Sequence, residues 1–207
     1  MKSITLLVLF NLFFFAAFSQ DLNKLLGLFE KANLPYEFPT EASVGFGDEE
    51  ESEQSPYKAI DVELFNSITG AGVYEQDELE AVAKLEFPNF YLLVVAETSM
   101  NINNGMVHRS LVYYTLNKKG QMIDMRYAQK TTMHDSFDAF ETMDTDASMA
   151  MSEYDGEENT IIVEKTKKVY RSGTEGTHNE SETVVSITYD SIDANGKIAD
   201  VTTYLKK

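Results

Sequence analysis

The sequence predicts a mainly β protein: an antiparallel meander forming a sandwich or a curved open barrel, with one N-terminal amphipathic helix. Three observations carry that expectation. Short apolar segments recur at fairly even spacing from Leu79 onward, and the breaks between them hold Gly, Asn and Asp. Phe and Tyr are plentiful at 13 and 11 residues, as strands favour. Cys and Trp are absent, so no disulfide framework substitutes for a core.

The first element is an export signal. Met1-Lys2 gives a short positive start, residues 4–18 are apolar except for Thr5 and Asn11, and Ala17-Phe18-Ser19 places small residues at the two positions a signal peptidase reads. A membrane span needs roughly 20 apolar residues, and this run is shorter. Cleavage near Ser19 would leave Gln20 first. Charge then moves from −17 to −18, since Lys2 is the one charged residue lost. No Cys follows the apolar run to take a lipid, and no later segment is long and apolar enough to span a membrane. The expected product is secreted or periplasmic. Its strong negative charge argues against nucleic acid and anionic lipid as partners.

Residues 20–56 read as a helix followed by an acidic loop. Asp21 is placed to cap a helix over 21–33, in which Leu22, Leu25, Leu26, Phe29 and Ala32 recur at three- and four-residue spacing, until Asn33, Leu34 and Pro35 stop it. Asp48, Glu49, Glu50, Glu51 and Glu53 crowd five acids into six positions, an exposed run whose ligands are not spaced as in a calcium loop.

Residues 57–207 read as the β domain. Leu79, Ala81, Ala83, Leu85 and Phe87 alternate with Glu80, Lys84 and Glu86, and Val82 is the exception. Phe90 to Ala96 is continuously apolar, the pattern of a central strand covered on both faces. Further strands are expected at 107–116, with Tyr113 and Tyr114 near the end, and at 121–127, 148–152, 160–170, 183–189 and 198–204. Residues 116–124 and 192–200 share one pattern: apolar, Asn or Asp, two residues of which the second is polar, Gly, polar, two apolar, Asp. Asn or Asp opens such a turn and Gly takes the positive φ it needs.

The leader ending in Phe-Ser-Gln, the early helix and these Tyr-x-x-Leu/Ile-Asn/Asp-x-x-Gly hairpins resemble uncharacterised secreted β-meander proteins of Bacteroidetes-type bacteria. The resemblance implies a bacterial exported protein and carries no activity or functional residue.

Chemistry is sparse. His108, His134 and His178 stand apart and lack metal-ligand spacing; no G-x-S-x-G elbow, P-loop or G-x-G-x-x-G follows a strand. Between His134 and Asp146, the acids Asp135, Asp138, Glu141, Asp144 and Asp146 interleave with Phe137, Phe140 and Met143. That three-residue spacing predicts a short helix or 3₁₀ turn, with an acidic cation-binding loop as the sharper alternative. Asn179-Glu180-Ser181 fits a glycosylation triplet. Lys165, Lys167, Lys168 and Arg171 read as a guarded edge strand. No catalytic, cofactor-binding or metal-ligating residue is assigned, and no cofactor is expected. The expected function is an exported non-catalytic protein, a binding or envelope-associated β domain. The alternatives are a lipocalin-like binder of a small ligand and an extracellular hydrolase.

Overall fold

A run of apolar residues on consecutive positions can be buried in a strand only if both sheet faces are covered. The computed structural model describes residues 20–39, 55–100, 107–130, 132–136, 139–154, 157–173 and 181–201, and there the Phe90–Ala96 run does occupy such a strand. The strands are β1 (Glu30–Lys31), β2 (Tyr36–Glu37), β3 (Lys58–Ile60), β4 (Glu78–Glu86), β5 (Phe90–Met100), β6 (Val107–Asn117), β7 (Met122–Lys130), β8 (Thr132–Ser136), β9 (Ala139–Tyr154), β10 (Glu157–Gly173), β11 (Ser181–Ile192) and β12 (Ile198–Val201).

They form two antiparallel-rich sheets that do not close into a barrel. The first runs β1-β4-β5-β6-β7 with β3 also paired to β4; the second runs β12-β11-β10-β9-β2 with β8 also paired to β9. The exception to the antiparallel rule is β1, which lies parallel to β4.

In β5, Phe90, Leu92, Val94 and Ala96 point toward the second sheet and share a core with Phe38, Tyr113, Met149, Ile161, Val163 and Ile192. Leu93 and Val95 point the other way, onto a second core with Leu22, Leu25, Leu26, Phe29, Phe65 and Ile68. The first sheet is therefore the middle of three layers. Its far side is covered by helical residues 20–26 and by the helix Val62–Thr69.

The expected helix over 21–33 is shorter than its stripe. Helical geometry in the described residues ends at 26, and Glu30–Lys31 is strand β1, so Phe29 enters the core from the turn between them. The Lys84 ammonium donates to the Leu26 carbonyl at 3.1 Å, placing positive charge where the helix leaves free carbonyls. The helix Val62–Thr69 had no counterpart among the expected elements. The Asp61 carboxylate caps it by accepting from the Leu64 amide at 2.7 Å, and Gly70 ends it at φ 70°.

Val82 is a β-bulge. Register shifts between Ala81 and Ala83, and the extra residue sends Leu79 and Ala81 to the helix side but Ala83 and Leu85 toward the second sheet. The single apolar face expected for 79–87 is therefore two half-faces.

The paired turns have one design. Asn117 and Asp193 each accept two backbone amides on their side chains, at 2.8–3.2 Å and 2.8 Å, and Gly120 and Gly196 sit at φ 89° and 84°. A Cβ on Gly120 would stand 2.8 Å from Ile68 and 2.9 Å from Leu22, so this turn docks under both helical segments and tolerates only Gly.

The second sheet corrects two expectations. Residues 132–136 and 139–146 are a hairpin of extended strands, with His134 opposite Glu141, not a helix or 3₁₀ turn; Phe137 and Asp138 lie outside the described residues. The 16-residue β9 and the 17-residue β10 pair in unbroken register from Thr160↔Ser152 to Gly173↔Ala139, and that ladder overrides the local three-residue spacing. Lys165, Lys167, Lys168 and Arg171 are not on an edge: β10 is flanked by β9 and β11 along its length. The acidic run 48–53, the leader 1–19 and the triplet members Asn179 and Glu180 lie outside the described residues.

Candidate functional site

A strand residue that faces between two sheets must be apolar or hydrogen-bonded. On β10, Ile161, Val163 and Lys165 share the inward face; on β11, Asp190 and Ile192 do. Lys165 and Asp190 are diagonal neighbours there, since Val163 is the direct partner of Asp190. The Lys165 ammonium reaches Asp190 Oδ2 at 2.6 Å. From the first sheet, the fully buried Tyr113 hydroxyl donates to the same oxygen. Asp190 keeps 2% of its side chain exposed and Lys165 17%. One carboxylate thus joins three strands and both sheets.

Burial pushes the Tyr113 phenol well above its ordinary range, and the Asp190 charge and hydrogen bond push it further. Tyr113 therefore stays protonated and acts as a donor, not as a base.

Beside this cluster, Asp124 latches β7 to the start of β12. Its Oδ1 accepts from the Met125 amide at 3.0 Å and from Arg126 at 3.2 Å; its Oδ2 accepts from the Ile198 amide at 3.3 Å, with Lys197 at the same distance. Burial alone would raise this carboxyl, but the two backbone amides, Lys197 and Arg126 together hold it below the usual carboxylate range. Near the outer end of the first sheet, Arg109 and Glu80 form a 2.7 Å ion pair. On the helix side, burial raises the Asp77 carboxyl, opposed by a hydrogen bond from the Tyr74 backbone.

The outer face of the second sheet has a different character. Glu37, Ser148 and Glu164 stand in one row across β2, β9 and β10, and Asp146 and Thr166 in the next. These side chains, with Phe38 and Ala147, line an open groove of about 280 Å³. Among the described residues no group of three or more His, Asp or Glu is arranged to hold a metal ion.

Of the residues singled out in the sequence, His134 and Glu141 lie opposite each other in the β8–β9 hairpin, while His108 and His134 lie apart. His108 and His134 lie on β6 and β8, in different sheets, and His178 is outside the described residues. Of the acids between 135 and 146, Asp146 lines the groove, among the described residues. The Tyr113–Asp190–Lys165 cluster was not foreseen. In 187–192 the more apolar alternate set is Ile187 and Tyr189, which faces outward, so the alternation points Asp190 the wrong way.

No family model, no curated protein and no solved structure matches this chain.

Proposed function

We propose that this chain is an exported β domain that works by binding, or by taking a place in the cell envelope, and not by catalysis. The state of its most buried charged group carries the reading. A catalytic carboxylate keeps an oxygen open to substrate. Asp190 is 2% exposed, and its Oδ2 already accepts from Lys165 and Tyr113. Such a group holds two sheets together. The leader supports export, and the part of the second sheet's outer face around Glu37, Asp146, Glu164 and the half-exposed Ile187 offers a surface for contact.

The lipocalin-like alternative needs an apolar cavity inside a closed barrel. The sheets are not closed, and Leu92, Val94, Tyr113, Met149 and Val163 fill the space between them, which argues against it. A hydrolase would rest on Glu37, Asp146 and Glu164, but their groove is open to water, which weakens electrostatic catalysis.

Two measurements test the reading. When the full chain is expressed in a host that exports proteins, the product outside the cytoplasm is expected to begin at Gln20; retention of residues 1–19 would overturn export. Asp190→Asn and Lys165→Met are each expected to lower the melting midpoint. Active-site residues are commonly neutral or costly to stability, so an unchanged or raised midpoint in both variants would overturn the structural assignment and return the cluster to the catalytic candidates.

A further inference from the structure

Lys165 and Asp190 are held in a way that goes beyond an ion pair. Lys165 Nζ sits 2.6 Å from Asp190 Oδ2 on the adjacent strand, between two packed sheets, with a phenol donor on the same carboxylate oxygen. Removing an ammonium and a carboxylate from water is costly, and the pair's attraction regains only part of that cost. Condensing the two into an amide removes both charges and releases the water formed. A fixed near-contact geometry of this kind replaces a bimolecular encounter.

We propose that Lys165 and Asp190 form an intramolecular isopeptide bond that staples β10 to β11. The step is a dehydration and needs no oxidant, reductant or activated co-reactant. The ammonium passes one proton to the carboxylate within the pair, leaving a neutral amine and a neutral acid. The Lys165 Nζ lone pair attacks Asp190 Cγ, forming the Nζ–Cγ bond. Nζ passes a second proton to Oδ2, to which the Tyr113 hydroxyl donates a hydrogen bond throughout. The Cγ–Oδ2 bond then breaks and one water leaves. The high proton affinity of the buried Tyr113 keeps it in the donor form this requires.

The surroundings fit the step. Val163 pairs directly with Asp190 and precedes Lys165 by two residues, and the Phe38 ring is tilted against Tyr113 at 6.1 Å between centres, so apolar side chains border the pair, in which Asp190 is 2% and Lys165 17% exposed. The chain has no Cys, so an amide is the covalent staple its composition permits between these strands. Asp124 is drawn instead to backbone amides, and its nearest ammonium, Lys197, is 66% exposed. That pair is wet and is not expected to condense.

The inference rests on the same three residues as the structural reading of the cluster, but not on export. The experiment is intact-mass measurement of the purified full chain, then peptide mapping. The expected result is a mass one water below that of the sequence, with the peptides carrying Lys165 and Asp190 recovered as one branched species. Lys165→Met restores the full mass. Tyr113→Phe lowers the linked fraction. A wild-type mass equal to that of the sequence, or a loss of water that persists in Lys165→Met, overturns the bond. An unlinked protein whose midpoint still falls in both variants of the previous section overturns the bond alone and leaves the ion pair as the structural tie. A linked fraction unchanged by Tyr113→Phe removes Tyr113 from the step.

Discussion

The two sheets solve the same problem in opposite ways. The first is buried on both faces: β5 alone contributes Leu92, Leu93, Val94 and Val95, each fully buried, with helices on one side and the second sheet on the other. The second is buried on its inward face and only in part on its outward one, where Ile162 is 5% exposed. Its inward row ends in a charged cluster, and Ile187 on its outward row is 50% exposed. The first sheet takes its stability from apolar area, while the second is tied to it by Tyr113, Lys165 and Asp190 as well as by side-chain packing. An open face is where a binding surface can be placed at little cost to the core.

The largest expected effects separate the sheets directly. Leu92→Ala in the covered sheet should cost about 3 kcal/mol in denaturant melts, as a fully buried leucine with neighbours on every side does. Ile187→Ala on the open face should stay within about 0.5 kcal/mol. Comparable losses at both positions would mean the outward face is covered at Ile187 as it is at Ile162. Asp190→Ala should cost about 3 kcal/mol, because it leaves the Lys165 charge between the sheets without its partner. A neutral result would show that Lys165 simply turns to solvent.

The turns give a smaller contrast. Gly120→Ala meets both a positive φ and the Ile68 and Leu22 side chains, and about 2 kcal/mol is expected. Gly70→Ala meets only the positive φ, with nothing within 4 Å of the new Cβ, and about 1 kcal/mol is expected. Equal losses would show that the docking of the Gly120 turn against the helical segments adds nothing.

The smallest effects are in pH, and they have opposite signs. The Asp124 carboxyl is lowered in the folded state, so its contribution is present above the unfolded value near about 4 and is lost as pH falls through the folded value. Asp124→Asn should flatten the acid limb of a stability profile. The Asp77 carboxyl is raised in the folded state, so its contribution is greatest in acid and is lost as pH rises through the folded value. Asp77→Asn should therefore raise the midpoint at neutral pH. The reverse pattern would mean that burial outweighs the amides and cations at Asp124 and is outweighed by the Tyr74 hydrogen bond at Asp77.

Much of the covered sheet was legible in the sequence, and much of the open sheet was not. The Phe90–Ala96 run and the twin turns at Gly120 and Gly196 are local signals, fixed by burial on both faces and by positive φ. Val82 was visible as an exception, but not that its bulge would send Ala81 and Ala83 to opposite faces. The helix Val62–Thr69 carried a readable signal in Asp61 at its start, Phe65 and Ile68 on one face, and Gly70 at its end. The Lys165 role could not be read because its partner lies 25 residues on in the chain and its second support is on the other sheet. Likewise, the extended form of 139–146 follows from pairing with β10, which no local spacing reveals.

Native-state hydrogen exchange tests the contrast between the sheets most directly. Amides of Leu92–Val95 in β5 should be among the slowest in the molecule, exchanging only through global unfolding, while those of Ser186–Thr188 in β11, all exposed at their side chains, should exchange through local opening orders of magnitude faster. Equal protection of the two segments would contradict the account, because it would make the open sheet as deeply held as the covered one.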